Sequence, residues 1–248
     1  MKSNSKKTQA KIEEEETNCL GFGSTLKGLS SGRLRTLPYF FGFLHAIRVV
    51  EKYSLEKKKI LDIACGNNEL GMLLKQTFWY IDFLGVDIVD RNPKIGKKLN
   101  FMKMDLKQEW IFEDQSFDAI FGLECVEHFY DEDLDHIFKE SYRVLSEDGI
   151  LYIKTPNGAT GKHFGDHPKE YTIDELKGKL VNNNFQIEKI YGFHSMKRMT
   201  LDNLSNEEIF EFFPKIVSKI LLGIREGTSN SKWICIEARK ISKEQQIV

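Results

Sequence analysis

The sequence predicts an α/β fold, a mainly parallel sheet of seven strands with helices on both faces. Three observations predict it. Apolar runs of strand length alternate with stretches of helical periodicity through the middle of the chain. Strands joined in this way need crossover connections, which are right-handed and leave the strands parallel. A chain of 248 residues, 41% apolar and 12% aromatic, is long enough for one large domain whose core needs no staples.

The elements follow in chain order. Residues 1–18 are polar, basic first and then acidic from Glu13 to Glu16, the composition of a disordered tail. Residues 19–58 make a cap, a glycine-bearing segment followed by a helix. In that helix Leu37, Phe40, Phe41, Leu44, Ile47 and Val50 recur at helical spacing. The core spans 59–192, with strands at 59–65, 81–87, 100–105, 117–123, 149–155 and 185–193 and helices near 68–77, 92–98 and 131–145. The stretch 193–232 is too long for a bare loop, and EEIFEFFPKIVSKILLGI reads as a helical insertion, a substrate lid or a dimer contact. A last strand at 233–240 opens the closing segment 233–248.

Composition narrows the function classes. With 36 Lys+Arg against 37 Asp+Glu, the net charge is −1. That balance argues against non-specific binding to nucleic acid or an anionic membrane. No apolar run approaches the ~20 residues of a membrane span, and the first residues lack a signal-peptide core. Four scattered cysteines without a C-x-x-C pair fit reduced thiols, so a cytoplasmic protein is expected.

In parallel sheets, ligands bind beyond the carboxyl ends of the strands. The first such end is ILDIACGNNELG, residues 60–71. There Asp62 precedes a tight turn in which Gly66 and Asn68 tolerate left-handed backbone. A dinucleotide loop would need G-x-G-x-x-G, which is absent, and a carboxylate suits a ligand with an ammonium group better than a pyrophosphate. A nicotinamide dehydrogenase is disfavoured on that ground and by the absence of a well-placed Tyr-x-x-x-Lys pair. The second strand ends in Asp87, about 20 residues past the turn, where an acid accepts hydrogen bonds from ribose hydroxyls. The third ends in Asp105 and Leu106, a polar edge and an apolar contact for an adenine.

These three acids, over roughly residues 37–192, give a pattern that resembles the class I S-adenosylmethionine-dependent methyltransferases, which have a Rossmann-like sheet. The resemblance implies S-adenosylmethionine as cofactor. It puts the methionine portion against Asp62 and the loop Ala64, Cys65, Gly66, Asn67 and Asn68. It puts the ribose against Asp87 with Ile88, and the adenine against Asp105 with Leu106, with Leu123 at the end of strand four completing the set. The usual D-x-G-x-G-x-G appears here as D-I-A-C-G-N-N, with Ala64 and Asn68 at two glycine positions. The alanine reads as a mild change, and Asn68 as the larger departure in loop geometry.

The fourth strand runs into ECVEHFYD, residues 124–131. Glu124, Glu127 and His128 stand at i, i+3 and i+4 and would share one face of a helical turn. Two carboxylates and an imidazole can hold a divalent cation with positions open to substrate. Beyond strand five come T-P-N and a loop with His163 and His167. The E-x-x-E-H pattern resembles ubiquinone-pathway O-methyltransferases. Together with D-H-x-x-E it also resembles small-RNA 2′-O-methyltransferases. That second resemblance implies Glu124, Glu127, His128 and His167 as ligands of Mg2+ or Mn2+; without metal, His128 becomes the general base, poised by Glu127 or Glu124. His45, His136 and His194 read as ordinary helix or surface histidines, and 172–175 as a helix cap with Thr172 and Glu175.

The expected function is methyl transfer to a hydroxyl of a small molecule or sugar. RNA ribose is the less favoured acceptor, and a non-catalytic partner that keeps the fold is the rival of another class. Arg33, Arg35, Lys162, Lys197 and Arg198 are candidates for contacting an anionic acceptor. The sequence leaves the oligomeric state open, a homodimer included.

Overall fold

The computed structural model describes residues 37–78, 80–89, 99–161, 165, 167–193, 224–226 and 231–242. The predicted tail, the glycine-bearing segment, the helix near 92–98, most of the insertion, and His163 and His194 lie outside them. So do the five candidate acceptor-binding cations.

All seven predicted strands are present: β1 (Lys59–Ile63), β2 (Asp82–Asp87), β3 (Asn100–Lys103), β4 (Phe117–Leu123), β5 (Leu145–Pro156), β6 (Phe185–Phe193) and β8 (Trp233–Lys240). An eighth, β7 (Ile224–Glu226), lies in the stretch expected to be helical. It pairs antiparallel with the end of β6, through Tyr191↔Glu226 and Phe193↔Ile224. The order is β3-β2-β1-β4-β5-β8-β6-β7. The five strands from β3 to β5 pair in parallel, and β8 enters antiparallel between β5 and β6.

The helices are α1 (Leu37–Lys52), α2 (Glu69–Thr77), α3 (Asp131–Val144) and α4 (Ile173–Asn182). Side chains alternate across a strand, so each central strand feeds two cores. Ile60, Ala119, Phe121 and Tyr152 pack under α1 and α2, with Ala46, Val50 and Leu74. Leu61, Ile120, Leu151 and Ile153 pack under α3 and α4, with Leu134, Ile137 and Leu176. Both faces are thus covered, which explains why these strands read as continuous apolar runs. The predicted cap of α4 forms: Thr172 N–H donates to Glu175 Oε2 at 2.8 Å, and Glu175 N–H to Thr172 Oγ1 at 3.3 Å. None of the described helices is long and apolar enough to cross a membrane. Cys65, Cys125 and Cys235 are free thiols.

The chain leaving β5 is tied to two returning segments. Asn157 is buried; its Nδ2 donates to Ser231 O at 2.7 Å, and its backbone N–H to Lys232 O at 2.9 Å. Gly158 then passes so close to the returning chain that a Cβ would lie 2.2 Å from the Glu170 carbonyl oxygen. Its N–H donates to Tyr171 O at 3.0 Å. Backbone opposes backbone here, so no side-chain rotation can relieve the overlap. Gly158→Ala is therefore expected to lower stability by roughly 2–3 kcal/mol, read by urea unfolding. A loss below about 0.5 kcal/mol would mean the two segments separate freely.

Candidate active site

Beyond the carboxyl ends of β1, β2, β3 and β4 lies a cleft of about 570 Å³. Of the predicted cofactor residues, Asp62, Ala64, Cys65, Gly66, Asn67, Asp87, Ile88, Asp105, Leu106 and Leu123 line it. Asn68 does not. It is buried, with Nδ2 donating to Asn100 O at 3.4 Å and its side chain packed between Gly71 and Gly85. Asn68 thus ties the first loop to the start of β3 from behind.

The loop geometry explains the spacing of the motif. Ala64, Gly66 and Asn68 all take left-handed backbone, with φ of 52°, 55° and 61°. Alternate residues therefore need the conformation that glycine adopts without strain. An alanine in this region costs on the order of 1 kcal/mol, so Ala64 is a strained substitution rather than a mild one. It also ends β1 two residues earlier than predicted. Over Gly66 the space is open, since a Cβ there would meet nothing within 4 Å.

Asp87 fixes the loop from the neighbouring strand. Its Oδ2 accepts the Gly66 N–H at 2.9 Å and its Oδ1 the Val89 N–H at 2.9 Å. Each carboxylate oxygen keeps a lone pair for a ligand hydroxyl. Asp105 is held in the same way, accepting the Lys107 N–H at 3.0 Å. Asp62 is 3% exposed, and burial together with nearby Asp87 and Glu69 pushes its pKa well above the usual carboxylate range. A ligand ammonium placed there would return the proton-free form to favour.

Past β4 the chain departs from the expected helical turn. Glu124 takes a left-handed φ of 52°, and only a single 3-10 turn, Val126–His128, follows. Glu124 lines the same cleft but is not among the ligand atoms that converge. It forms an ion pair with Lys154, whose carbonyl accepts the Glu124 N–H at 2.7 Å. Glu127, His128 and His167 do converge, offering ligand atoms all within 4.8 Å of one another. The His128 and His167 rings meet edge to face, centroids 5.0 Å apart. Glu127 is fully buried, which pushes its carboxyl up to about 7. His45 and His136 are structural, bonded to Tyr152 OH and Gln108 O at 2.9 Å each.

Sequence reasoning missed Phe43, Glu69 and Lys154, which also line the cleft. Lys154 had a visible signal, a lone charge near the end of an otherwise apolar strand. It is buried, and α1 reaches it only because residue 42 is glycine; a Cβ there would lie 2.5 Å from Lys154 Cδ.

Comparison with known proteins agrees with this geometry. A family described as "Methyltransferase domain" matches residues 60–149. The ubiquinone biosynthesis O-methyltransferase of Pelagibacter ubique is 34% identical over 111 residues, 42% of this chain and 44% of that protein. The sterol 24-C-methyltransferase of Aspergillus fumigatus is 27% identical over 169 residues, 62% of this chain and 42% of that one. The chain thus spans less than half the length of these two relatives. A solved S-adenosylmethionine-dependent methyltransferase from Thermotoga maritima superposes with a TM-score of 0.58 at 18% identity, covering 86% of this chain and 96% of its own. Residues 60–149 thus match a methyltransferase domain, and the chain around them has three acids at successive strand ends, a left-handed first loop and the fold of a solved S-adenosylmethionine-dependent methyltransferase.

Proposed function

We propose that this protein transfers a methyl group from S-adenosylmethionine to an oxygen of a small hydroxylated molecule or sugar, assisted by a divalent cation. The observation that carries this reading is the convergence of Glu127, His128 and His167 in the cleft that Asp87 and the first loop line. The cofactor fits the residues present: open space over Gly66, a buried carboxyl at Asp62 for an ammonium, and lone pairs on Asp87 for a ribose. The cation fits as well. Glu127 Oε1 is buried and accepts no hydrogen bond among the described residues, and a carboxylate with two imidazoles is a donor set for Mn2+ and similar ions.

The chemistry supplied with the cofactor is a methyl on a sulfonium, lost in one in-line displacement with a neutral leaving group. The chain's own part is alignment and proton transfer. Asp87 and Asp105 would hold the nucleoside end, and Asp62 would fix the methionine end. His128 lies in the cleft with Glu127 and takes or steers the proton of the acceptor hydroxyl. A cation bound by the cluster would lower that hydroxyl's pKa.

Charge favours a small acceptor over an RNA strand. Among the described residues six carboxylates line the cleft (Asp62, Glu69, Asp87, Asp105, Glu124 and Glu127), against Lys107 and Lys154. A polyanion would meet repulsion along that wall. The similarity to a ubiquinone biosynthesis O-methyltransferase supports oxygen as the acceptor atom. A filter assay with labelled cofactor on small phenols, sugar nucleotides and RNA tests the acceptor, with label expected on the first two classes. Exhaustive EDTA treatment is expected to cut the rate by at least about tenfold, with recovery on adding Mn2+. Full activity after chelation would retain the methyltransferase and discard the cation.

A further inference from the structure

The two oxygens of Glu127 have different surroundings. Thr155 Oγ1, also buried, donates to Oε2 at 2.9 Å, while Oε1 accepts nothing among the described residues. The Thr155 hydroxyl thus engages one of the two oxygens and leaves the other available. His167 is held in a comparable way. Its Nδ1 lies 3.0 Å from Oε1 of Glu170, a residue 5% exposed. With Nδ1–H donated to that carboxylate, the lone pair of the ring stays on Nε2. Neither Thr155 nor Glu170 lines the cleft, whereas Glu127 and His167 both do. The two supports are also tied to each other: Gly158, three residues after Thr155, packs directly on the Glu170 backbone.

We propose that Thr155 and Glu170 are positioning residues that aim Glu127 and His167 at a divalent cation, an inference that rests on the cation-assisted reading above. Thr155 stops the carboxylate from rotating and leaves Oε1 as the ligand atom. Glu170 selects the tautomer of His167 and makes its Nε2 a better ligand. The function of the T-P-N segment is then local: threonine sets the carboxylate, and asparagine anchors the exit of β5.

The test is a titration of the full chain with Mn2+, followed by electron paramagnetic resonance of the free ion. It uses wild type, Thr155→Val, Thr155→Ser and Glu170→Gln, with calorimetry of S-adenosylhomocysteine binding on each. Thr155→Val is expected to weaken Mn2+ about 10- to 100-fold and Glu170→Gln about tenfold. Thr155→Ser, which keeps the hydroxyl, should stay within about threefold of wild type, and S-adenosylhomocysteine affinity should not move in any of them. Unchanged Mn2+ affinity in Thr155→Val overturns the positioning role while the cation reading stands. Parallel loss of S-adenosylhomocysteine affinity also overturns it, because the residue would then be merely structural. If Thr155→Val does not fold, Glu170→Gln decides alone, and wild-type affinity there sinks the proposal. A wild-type protein that takes up no Mn2+ removes the cation reading and this inference together.

Discussion

Replacing His128 with alanine is expected to lower kcat/KM by about 10²–10⁴-fold, with S-adenosylhomocysteine affinity unchanged. The size follows from where the residue stands. His128 is the exposed member of a cluster whose other members, Glu127 and His167, are buried and partly buried, so it is the side chain most open to an arriving acceptor. Whether it takes a proton itself or helps to hold a cation that acidifies the hydroxyl, alanine removes the member of the cluster most open to the acceptor. The first loop and Asp87 lie on other strand ends and should keep the cofactor. The measurement is methyl transfer to whichever acceptor takes label, paired with calorimetry on the same preparation. A rate within about tenfold of wild type would move the proton chemistry elsewhere.

The second large effect is on cofactor affinity. Asp87→Ala should weaken S-adenosylhomocysteine binding by at least about 100-fold, from hydrogen bonds to a charged group worth ~1.5–3 kcal/mol each. Two losses coincide. Ligand hydroxyls lose their acceptor, and the N–H groups of Gly66 and Val89, both now bonded to this carboxylate, lose theirs. The loop that must present its backbone to the ligand is then held by fewer contacts. Asp87→Asn separates the two effects: one amide oxygen can still accept from one of the two N–H groups, so the loop should partly hold while the charge is gone. Equal affinity in Asp87→Ala and wild type, by calorimetry, would mean that the nucleoside end binds elsewhere.

That Asp62, Asp87 and Asp105 line one cleft was legible because each stands at a strand end at a spacing set by the fold. The loop was legible too, for a reason the sequence only half displays. Its periodicity lies in left-handed backbone rather than in glycine, and Ala64 and Asn68 take that backbone as Gly66 does. The fourth strand misled because i, i+3 and i+4 reasoning assumes a helical turn. A left-handed Glu124 and a single 3-10 turn send Glu124 to Lys154 while Glu127 and His128 meet His167. Lys154 lies 30 positions past Glu124 on the next strand, and His167 further still in the loop beyond it, and no local pattern announces such pairings. The edge strand β7 escaped for a similar reason. Three residues carry no period, and only the free edge of β6 makes them a strand.

The approach of α1 to Lys154 makes the cap a structural partner of the strand ends rather than an ornament on them. Gly42 sits on the lysine stem, and three residues later His45 bonds the Tyr152 hydroxyl on the same strand as Lys154. Lifting this helix would wet the buried Lys154 ammonium and break a buried hydrogen bond as well as expose Ala46, Val49 and Val50. Such an opening is expensive in three currencies at once, so α1 should rank with the sheet in resistance to local unfolding. Any route by which an acceptor enters must then run past the loops and leave this helix in place.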